Sequence, residues 1–418
     1  MTSKSPQECF VYLTLPGETS AVTAGRFVLD GNPMGGSRGR FVYGQSYLEN
    51  PRAVPIDPVE LKLTDRTYET VQLNGVFGAL RDAGPDFWGR RVIEKHAGKP
   101  MLGEMDYLLQ SPDDRAGALG FGLNKVPPAP RREFNQTLDL EKLQDLADAL
   151  INDEIPNDPA APQVQDLLLL GTSMGGARPK AVVADNEGLW IAKFNRPDDR
   201  WDNTRVEYGM LRLARQCGIS TAESRIETVG GKDVLLIKRF DREKTAKGYT
   251  RARMISGLTV LRAEESPTVR TRWSYVILVE ELRRIVDEPK KDARELFRRM
   301  CFNALISNID DHPRNHAFLA KNENWRLSPA YDLTPSPVIS QERRDLAMEC
   351  GDMGRFANAK NILSQHARFL LGREEAEKIV GDMRAQVSAW YDTIRACGVS
   401  ETDAEMIRGA FEYPGFDL

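Results

Sequence analysis

Cysteine is scarce and scattered in this 418-residue chain: Cys9, Cys217, Cys301, Cys350 and Cys397 are odd in number, far apart and without a CxxC pair. That pattern excludes a disulfide scaffold and a zinc ribbon, and reduced thiols in the cytoplasm are the expectation. Long apolar runs are missing as well. No stretch approaches the roughly 18 consecutive apolar residues of a membrane helix. The opening Met1-Thr2-Ser3-Lys4-Ser5-Pro6-Gln7-Glu8 has no apolar segment of the kind a signal peptide needs. Basic charge is not in excess: 57 Lys and Arg against 61 Asp and Glu leave a net charge of −4, with no bulk attraction to nucleic acid. Histidine is limited to four, and His312 and His316 lack the Glu of an HExxH zinc helix and enclose Pro313. There is no internal repeat and no low-complexity tail.

What remains is a globular composition, 41% hydrophobic and 28% charged, long enough for two or three structural units. Phe10–Leu15 and Arg40–Tyr43 read as strands bounded by Pro16-Gly17 and the glycines at 35 and 36. A helical region surrounds Asp86–Ile93, and proline-rich stretches at 126–132 and 155–162 read as linkers flanking a short helix. Ala181–Ala184 and Leu189–Phe194 flank Asp185-Asn186-Glu187-Gly188 as a hairpin; a helix starts near Thr204; a second hairpin turns at Gly230-Gly231. The later chain is mostly helical, most clearly from Lys290 to about Ser307. There Ala293, Leu296, Phe297, Met300, Cys301, Ala304 and Leu305 make one apolar stripe. A short hairpin is predicted around Asn322-Glu323-Asn324, and amphipathic helices over 372–396 and 402–412. The expected fold is α+β and bilobal, strand-rich and then helical. Its expected parts are an N-terminal subdomain (1–125), a linker (126–162), a small lobe (163–245) and a helical large lobe (246–418).

The densest polar cluster, Ser307 to His316, follows that helix directly. Asp310-x₄-Asn315 has the spacing of a kinase catalytic loop, in which Asp takes the acceptor proton and Asn binds Mg²⁺. Asp332, in Ser328-Pro329-Ala330-Tyr331-Asp332, is the expected second metal carboxylate, since Mg²⁺ needs few protein oxygens when phosphates supply the rest. His312 is expected to position the loop. Upstream, Gly171 to Lys180 is a small-residue loop whose amides could approach phosphates. It is not a Walker A loop, because Ala177 stands where the lysine belongs. Lys193 would reach the nucleotide phosphates. Glu207 would hold Lys193 as in the kinase Lys–Glu pair, or close a Thr204-x-x-Glu207 capping box; both readings stand.

On these motifs the sequence resembles the HipA family of bacterial serine/threonine kinases, toxins of type II toxin–antitoxin modules. The stretches that carry the resemblance are Asp86–Arg91, Asp113–Leu119, Ser173–Lys180, Lys238–Arg242, Phe302–Asn315 and Leu327–Leu333. Together they span roughly 10 to 340. The resemblance implies an ATP- and Mg²⁺-dependent protein kinase with Asp310 as base, His312 and Arg314 in the catalytic loop, and Asn315 and Asp332 on the metal. It implies nucleotide contacts from Ser173, Met174, Gly175, Gly176, Ala177, Lys180, Lys193, Glu207 and Lys238, with Phe240 in the adenine hinge. Ser173 matches the loop serine that family members phosphorylate in themselves. The implied partners are a helix-turn-helix antitoxin (HipB-like), through which alone DNA is reached, and a protein substrate; aminoacyl-tRNA synthetases are the family's best-known targets. No membrane partner is implied. Arg314 departs from the Lys of many members. The rival readings are a small-molecule kinase of the aminoglycoside phosphotransferase type and a catalytically idle co-repressor.

Overall fold

The first strand, β1 (Glu8–Thr14), buries Cys9, Val11 and Leu13 on one face and, towards its end, Tyr12 and Thr14 on the other. The computed structural model describes residues 7–32, 36–130, 134–154, 178–266, 268–337, 340–411 and 413–417. It divides into two compact units. One comprises the described residues of Met1–Pro197, Leu236–Thr259 and Phe318–Trp325; the other comprises those of Asp198–Leu235, Val260–Ala317 and Arg326–Leu418. Among the described residues no helix is long and apolar enough to cross a membrane.

In the first unit β1 pairs with β2 (Ala21–Asn32), β2 with β3 (Gly36–Tyr43) and β3 with β4 (Tyr68–Thr70), while β5 (Leu119–Gly122) adds to the other edge of β1. All these pairs are antiparallel. The β1–β2 register shifts between Val11 and Tyr12, and beside the shift Gly25 is obligatory: a Cβ there would lie 2.3 Å from the Val42 carbonyl oxygen. The helix Phe87–Ala97 is capped by Asp86, whose Oδ1 accepts from the Gly89 amide at 2.7 Å, and it buries Trp88, Val92 and Ile93. The predicted hairpin forms β7 (Lys180–Asp185) and β8 (Gly188–Phe194), paired from Lys180 opposite Lys193 to Asp185 opposite Gly188; β6 (Asn135–Gln136) runs parallel to β7.

Two of the stretches that carry the family resemblance meet in this unit. Arg239 binds Asp241 through Nε at 3.0 Å and Nη2 at 2.9 Å, and it also donates to Asp114 and to the Arg115 carbonyl. Asp241 accepts further bonds from the Gly117 amide at 2.8 Å and from Arg242 at 2.7 Å. Burial alone would raise the Asp241 carboxyl, but the two guanidiniums and the amide hold it well below the usual carboxylate range. The buried network joins 113–117 to 239–242 and ties the two stretches together.

In the second unit, the helix Asn203–Gln216 is capped by Asp202, whose Oδ1 accepts from the Arg205 amide at 3.0 Å. The capping-box reading of Thr204 and Glu207 is therefore replaced: Thr204 lies inside the helix and its hydroxyl donates to Asp202 at 2.7 Å. Asp202 wins because it precedes the first helical turn, where the unpaired amides point. β9 (Ser224–Val229) turns at Gly230 and Gly231, with φ of 56° and 76° as a two-residue type I′ turn requires, into β10 (Lys232–Lys238). The helix Pro289–Leu305 buries the whole predicted stripe and packs on the helices Tyr275–Ile285 and Arg373–Val387. Burial of each large side chain in that stripe is worth roughly 1.5–3 kcal/mol. The predicted helix 372–396 is broken between Val387 and Trp390. Ser388 turns its hydroxyl back to the Ala385 carbonyl at 2.7 Å, and Trp390 stacks on Phe411 at 4.1 Å between centroids.

Candidate active site

Just beyond the helix Pro289–Leu305 and its C-cap Ile306 stands Ser307, a non-glycine residue with φ of 53°. Such a conformation costs about 1–3 kcal/mol and persists only where its surroundings impose it. Here the Ser307 hydroxyl donates to the Ala410 carbonyl at 2.7 Å, the Ser336 amide donates to the Ser307 carbonyl at 3.1 Å, and the buried Arg344 reaches Ser307 Oγ together with the carbonyls of Gly409 and Ala410. The result is a sharp exit after which Asn308 stays buried and Ile309 and Asp310 reach the surface.

Two adjacent aspartates then take opposite fates. Asp311 is buried, accepts from the Tyr275 hydroxyl, and lies 2.9 Å from His316 Nε2. Asn303 Nδ2 donates to the Tyr275 oxygen at 3.2 Å, and Asn308 Nδ2 donates to Asn303 Oδ1 at 3.1 Å. Asp311 is thus an anchor. Asp310 is exposed at the surface of the loop. Partial desolvation pushes its carboxyl above the ordinary range; His312 opposes that shift, while Asp332 and Asp311 add to it and Arg270 also opposes it. A carboxylate kept basic and accessible is what a proton acceptor requires. Tyr275→Phe removes the hydroxyl from a buried carboxylate and is expected to cost about 1.5–3 kcal/mol in urea unfolding.

Asn315 donates from Nδ2 to the Asp310 carbonyl at 3.4 Å, leaving its amide oxygen available as a hard ligand. Asp332 lies on a segment tied down at every step. Arg326 grips Asp292 through two bonds of 2.9 Å, Leu327 donates to Asp292 at 3.1 Å, Ala330 donates to the Ser220 carbonyl at 2.7 Å, and the Tyr331 hydroxyl donates to the Arg314 carbonyl at 2.8 Å. Asp332 itself has φ of 59°, a second left-handed residue in the same region. Asp310, Asn315 and Asp332 belong to one unit, and the charge of Asp332 is felt at Asp310.

Of the other expected site residues, Arg314 directs its guanidinium to Glu265 at 2.6 Å. His312 sets its ring edge-on to Trp273 with centroids 6.3 Å apart, and its Nδ1 is buried without a hydrogen-bond partner among the described residues. Glu207 is buried in the second unit. Lys180, Lys193, Lys238 and Phe240 belong to the first unit. Lys180 is fully enclosed and binds Asp86 Oδ2 at 2.7 Å, so Asp86 neutralises the lysine that faces Lys193 across the ladder. Lys193 is half-buried in β8, and Lys238 holds its ammonium 5.4 Å from the Trp190 ring centre. Ser173, Met174, Gly175, Gly176 and Ala177 lie outside the described residues. Sequence reading missed Tyr275 and Arg344; each acts over a long sequence separation and carries no local signal.

Comparison with known proteins adds to this geometry. A HipA structure of Shewanella oneidensis MR-1, determined with HipB and operator DNA, matches with a TM-score of 0.70 at 16% identity, over 97% of this chain and 96% of that one. Two curated relatives bear the name "putative kinase". One, Y4mE of Sinorhizobium fredii, is 23% identical over 333 residues, covering 74% of this chain and 75% of its own. The other, from Haemophilus influenzae, is 23% identical over 225 residues, covering 48% and 64% respectively. The model of the HipA-like C-terminal domain matches residues 172–391, a span that includes Asp310, Asn315 and Asp332. With more than half of its length so matched, the chain belongs to the HipA family, and residues 172–391 are its HipA-like C-terminal domain.

Proposed function

We propose that this protein is an ATP-dependent serine/threonine protein kinase in which Asp310 is the catalytic base. The observation that carries the reading is the division of labour between two neighbouring aspartates: Asp311 buried as an anchor, Asp310 exposed and held basic beside Asp332. An idle binding protein has no need to concentrate negative charge in this way.

The donor set suits Mg²⁺: an amide oxygen from Asn315 and a carboxylate from Asp332, both hard, next to carboxylates whose mutual repulsion a cation relieves. Among the described residues there is no cluster of three or more His, Cys, Asp or Glu of the kind a tightly held transition metal uses. The metal would neutralise charge on the nucleotide phosphates. In the transfer itself the acceptor hydroxyl oxygen bonds to the γ-phosphorus of ATP as the bond from that phosphorus to the β,γ-bridging oxygen breaks. The hydroxyl proton passes to Asp310, and ADP leaves. Asp311, Tyr275 and His316 hold the loop, while Lys193 and Lys238 are the cations assigned to the nucleotide.

The same reading assigns self-phosphorylation to Ser173. A helix-turn-helix antitoxin is the proposed partner, in keeping with the HipB and operator DNA found with the Shewanella protein. The acceptor is a protein, with those of the translation machinery as the first candidates. Incubation with Mg·ATP followed by peptide mass spectrometry tests the core of this reading. One added phosphate on Ser173 is expected, absent from Ser173→Ala; phosphate appearing only at other residues removes the Ser173 assignment.

A further inference from the structure

A polar cleft of about 250 Å³, lined by Thr268, Arg270, Glu349 and Arg355, opens in the same unit as Asp310. Arg270 places its guanidinium 5.3 Å from the centre of the Trp273 ring, and the same ring meets His312 edge-on. A single side chain therefore separates the cleft from the 307–316 loop, and the Arg270 charge acts on Asp310. The walls are firmly built. The Trp273 amide donates to the Arg270 carbonyl at 3.0 Å, the Glu349 amide to the Trp273 carbonyl at 2.8 Å, and the Tyr275 amide to the Glu349 carbonyl at 2.9 Å.

Arg355 follows a tight turn in which Gly351 pairs with Gly354. The buried Asn361 fixes that turn, accepting from the Met353 amide at 2.7 Å and donating to the carbonyls of Gly354 at 3.0 Å and Phe356 at 2.8 Å. A Cβ on Gly351 would meet the Asn361 carbonyl oxygen at 2.0 Å, so this geometry is closely enforced. Arg270 Nε is buried with no hydrogen-bond partner, and neither Arg270 nor Arg355 pairs with a carboxylate among the described residues. Two guanidiniums, one of them over the Trp273 ring and the other carried by a fixed turn, against the single carboxylate of Glu349 leave the cleft cationic. Arginine forks match carboxylate and phosphate oxygens.

We propose that this cleft is an anion subsite of the acceptor surface, receiving a carboxylate or phosphate group carried by the protein whose hydroxyl is presented to Asp310. The term acceptor rests on the kinase reading; the binding of an anion does not. An arginine-lined, open cleft is also the opposite of the acidic, closed pocket that a polycationic aminoglycoside needs.

The test titrates nucleotide-free protein with O-phospho-L-serine and with hexaglutamate by calorimetry. Binding of at least one is expected, with Arg355→Gln weakening it about tenfold or more and Arg355→Lys restoring part of the loss. Preference for phosphoserine identifies a phosphoryl source, preference for hexaglutamate a carboxylate source. Absence of binding to both, or binding indifferent to Arg355→Gln, overturns the subsite. In turnover with casein as an acidic acceptor, Arg355→Gln is expected to raise KM about tenfold with kcat retained. A fall in kcat at unchanged KM counts against the proposal. Anion binding without any phosphate transfer would remove the kinase reading and leave the subsite; transfer without anion binding would do the reverse.

Discussion

Asp310→Asn is expected to lower phosphate transfer from ATP by about 10²–10⁴-fold, the share of the rate that a positioned general base supplies. Nucleotide binding should survive, because the variant keeps Asn315 and Asp332. The check pairs a radiolabel transfer assay with a fluorescent-nucleotide titration; full transfer by the variant would end the base assignment. A second consequence concerns stability. The folded pKa of Asp310 is raised above its unfolded value, by desolvation first and then by Asp332 and Asp311. Protonation therefore favours the fold, and the charged form is a handicap wherever the pH exceeds the raised folded pKa. Asp310→Asn removes the handicap. Because the side chain is exposed and screened, the gain should be small, a Tm rise of about 1–2 °C at pH 7.5. It should fade as the pH falls through the raised pKa and vanish below the unfolded value of about 4. A variant less stable than the parent at pH 7.5 would contradict the charge arrangement around Asp310.

Arg239→Ala carries the largest expected cost in stability. It strips the bidentate partner from Asp241 and the partner from Asp114, leaving two carboxylates buried in the first unit with Arg242 as the main remaining cation. Breaking a buried ion pair from one side costs about 3–5 kcal/mol, a drop of about 10 °C in the melting of that unit. The depressed pKa of Asp241 fixes the sign of the pH dependence. Its stabilising contribution is present above the unfolded carboxylate pKa of about 4 and is lost as the pH falls toward the lower folded value. The deficit of Arg239→Ala should therefore shrink in acid, as Asp241 is allowed to protonate. Differential scanning calorimetry at pH 7 and pH 4 measures both points. An unchanged melting temperature at pH 7 would show that the network contributes nothing net. The experiment also separates structural motif residues from catalytic ones, since Arg239 and Asp241 lie in one of the stretches on which the family resemblance rests.

Local elements and candidate residues were legible in the sequence. The strand ended by Pro16-Gly17, the Asp185–Gly188 turn, the paired glycines 230 and 231, and the stripe from Ala293 to Leu305 are all local, because strand pleat, turn dihedrals and helix pitch are set by neighbouring residues. The spacing of Asp310, Asn315 and Asp332 was legible for the same reason. Several things were not. Nothing local tells Asp310 from Asp311; Tyr275, 36 residues upstream, makes one an anchor and leaves the other exposed. The left-handed turn at Ser307 is held by Arg344 and the carbonyl of Ala410, 103 residues beyond Ser307. Asp114 and Asp241 could each be read as surface carboxylates until the fold placed Arg239 between them. Tertiary structure decided these points because burial, charge pairing and backbone strain depend on which distant atoms fill the surrounding space.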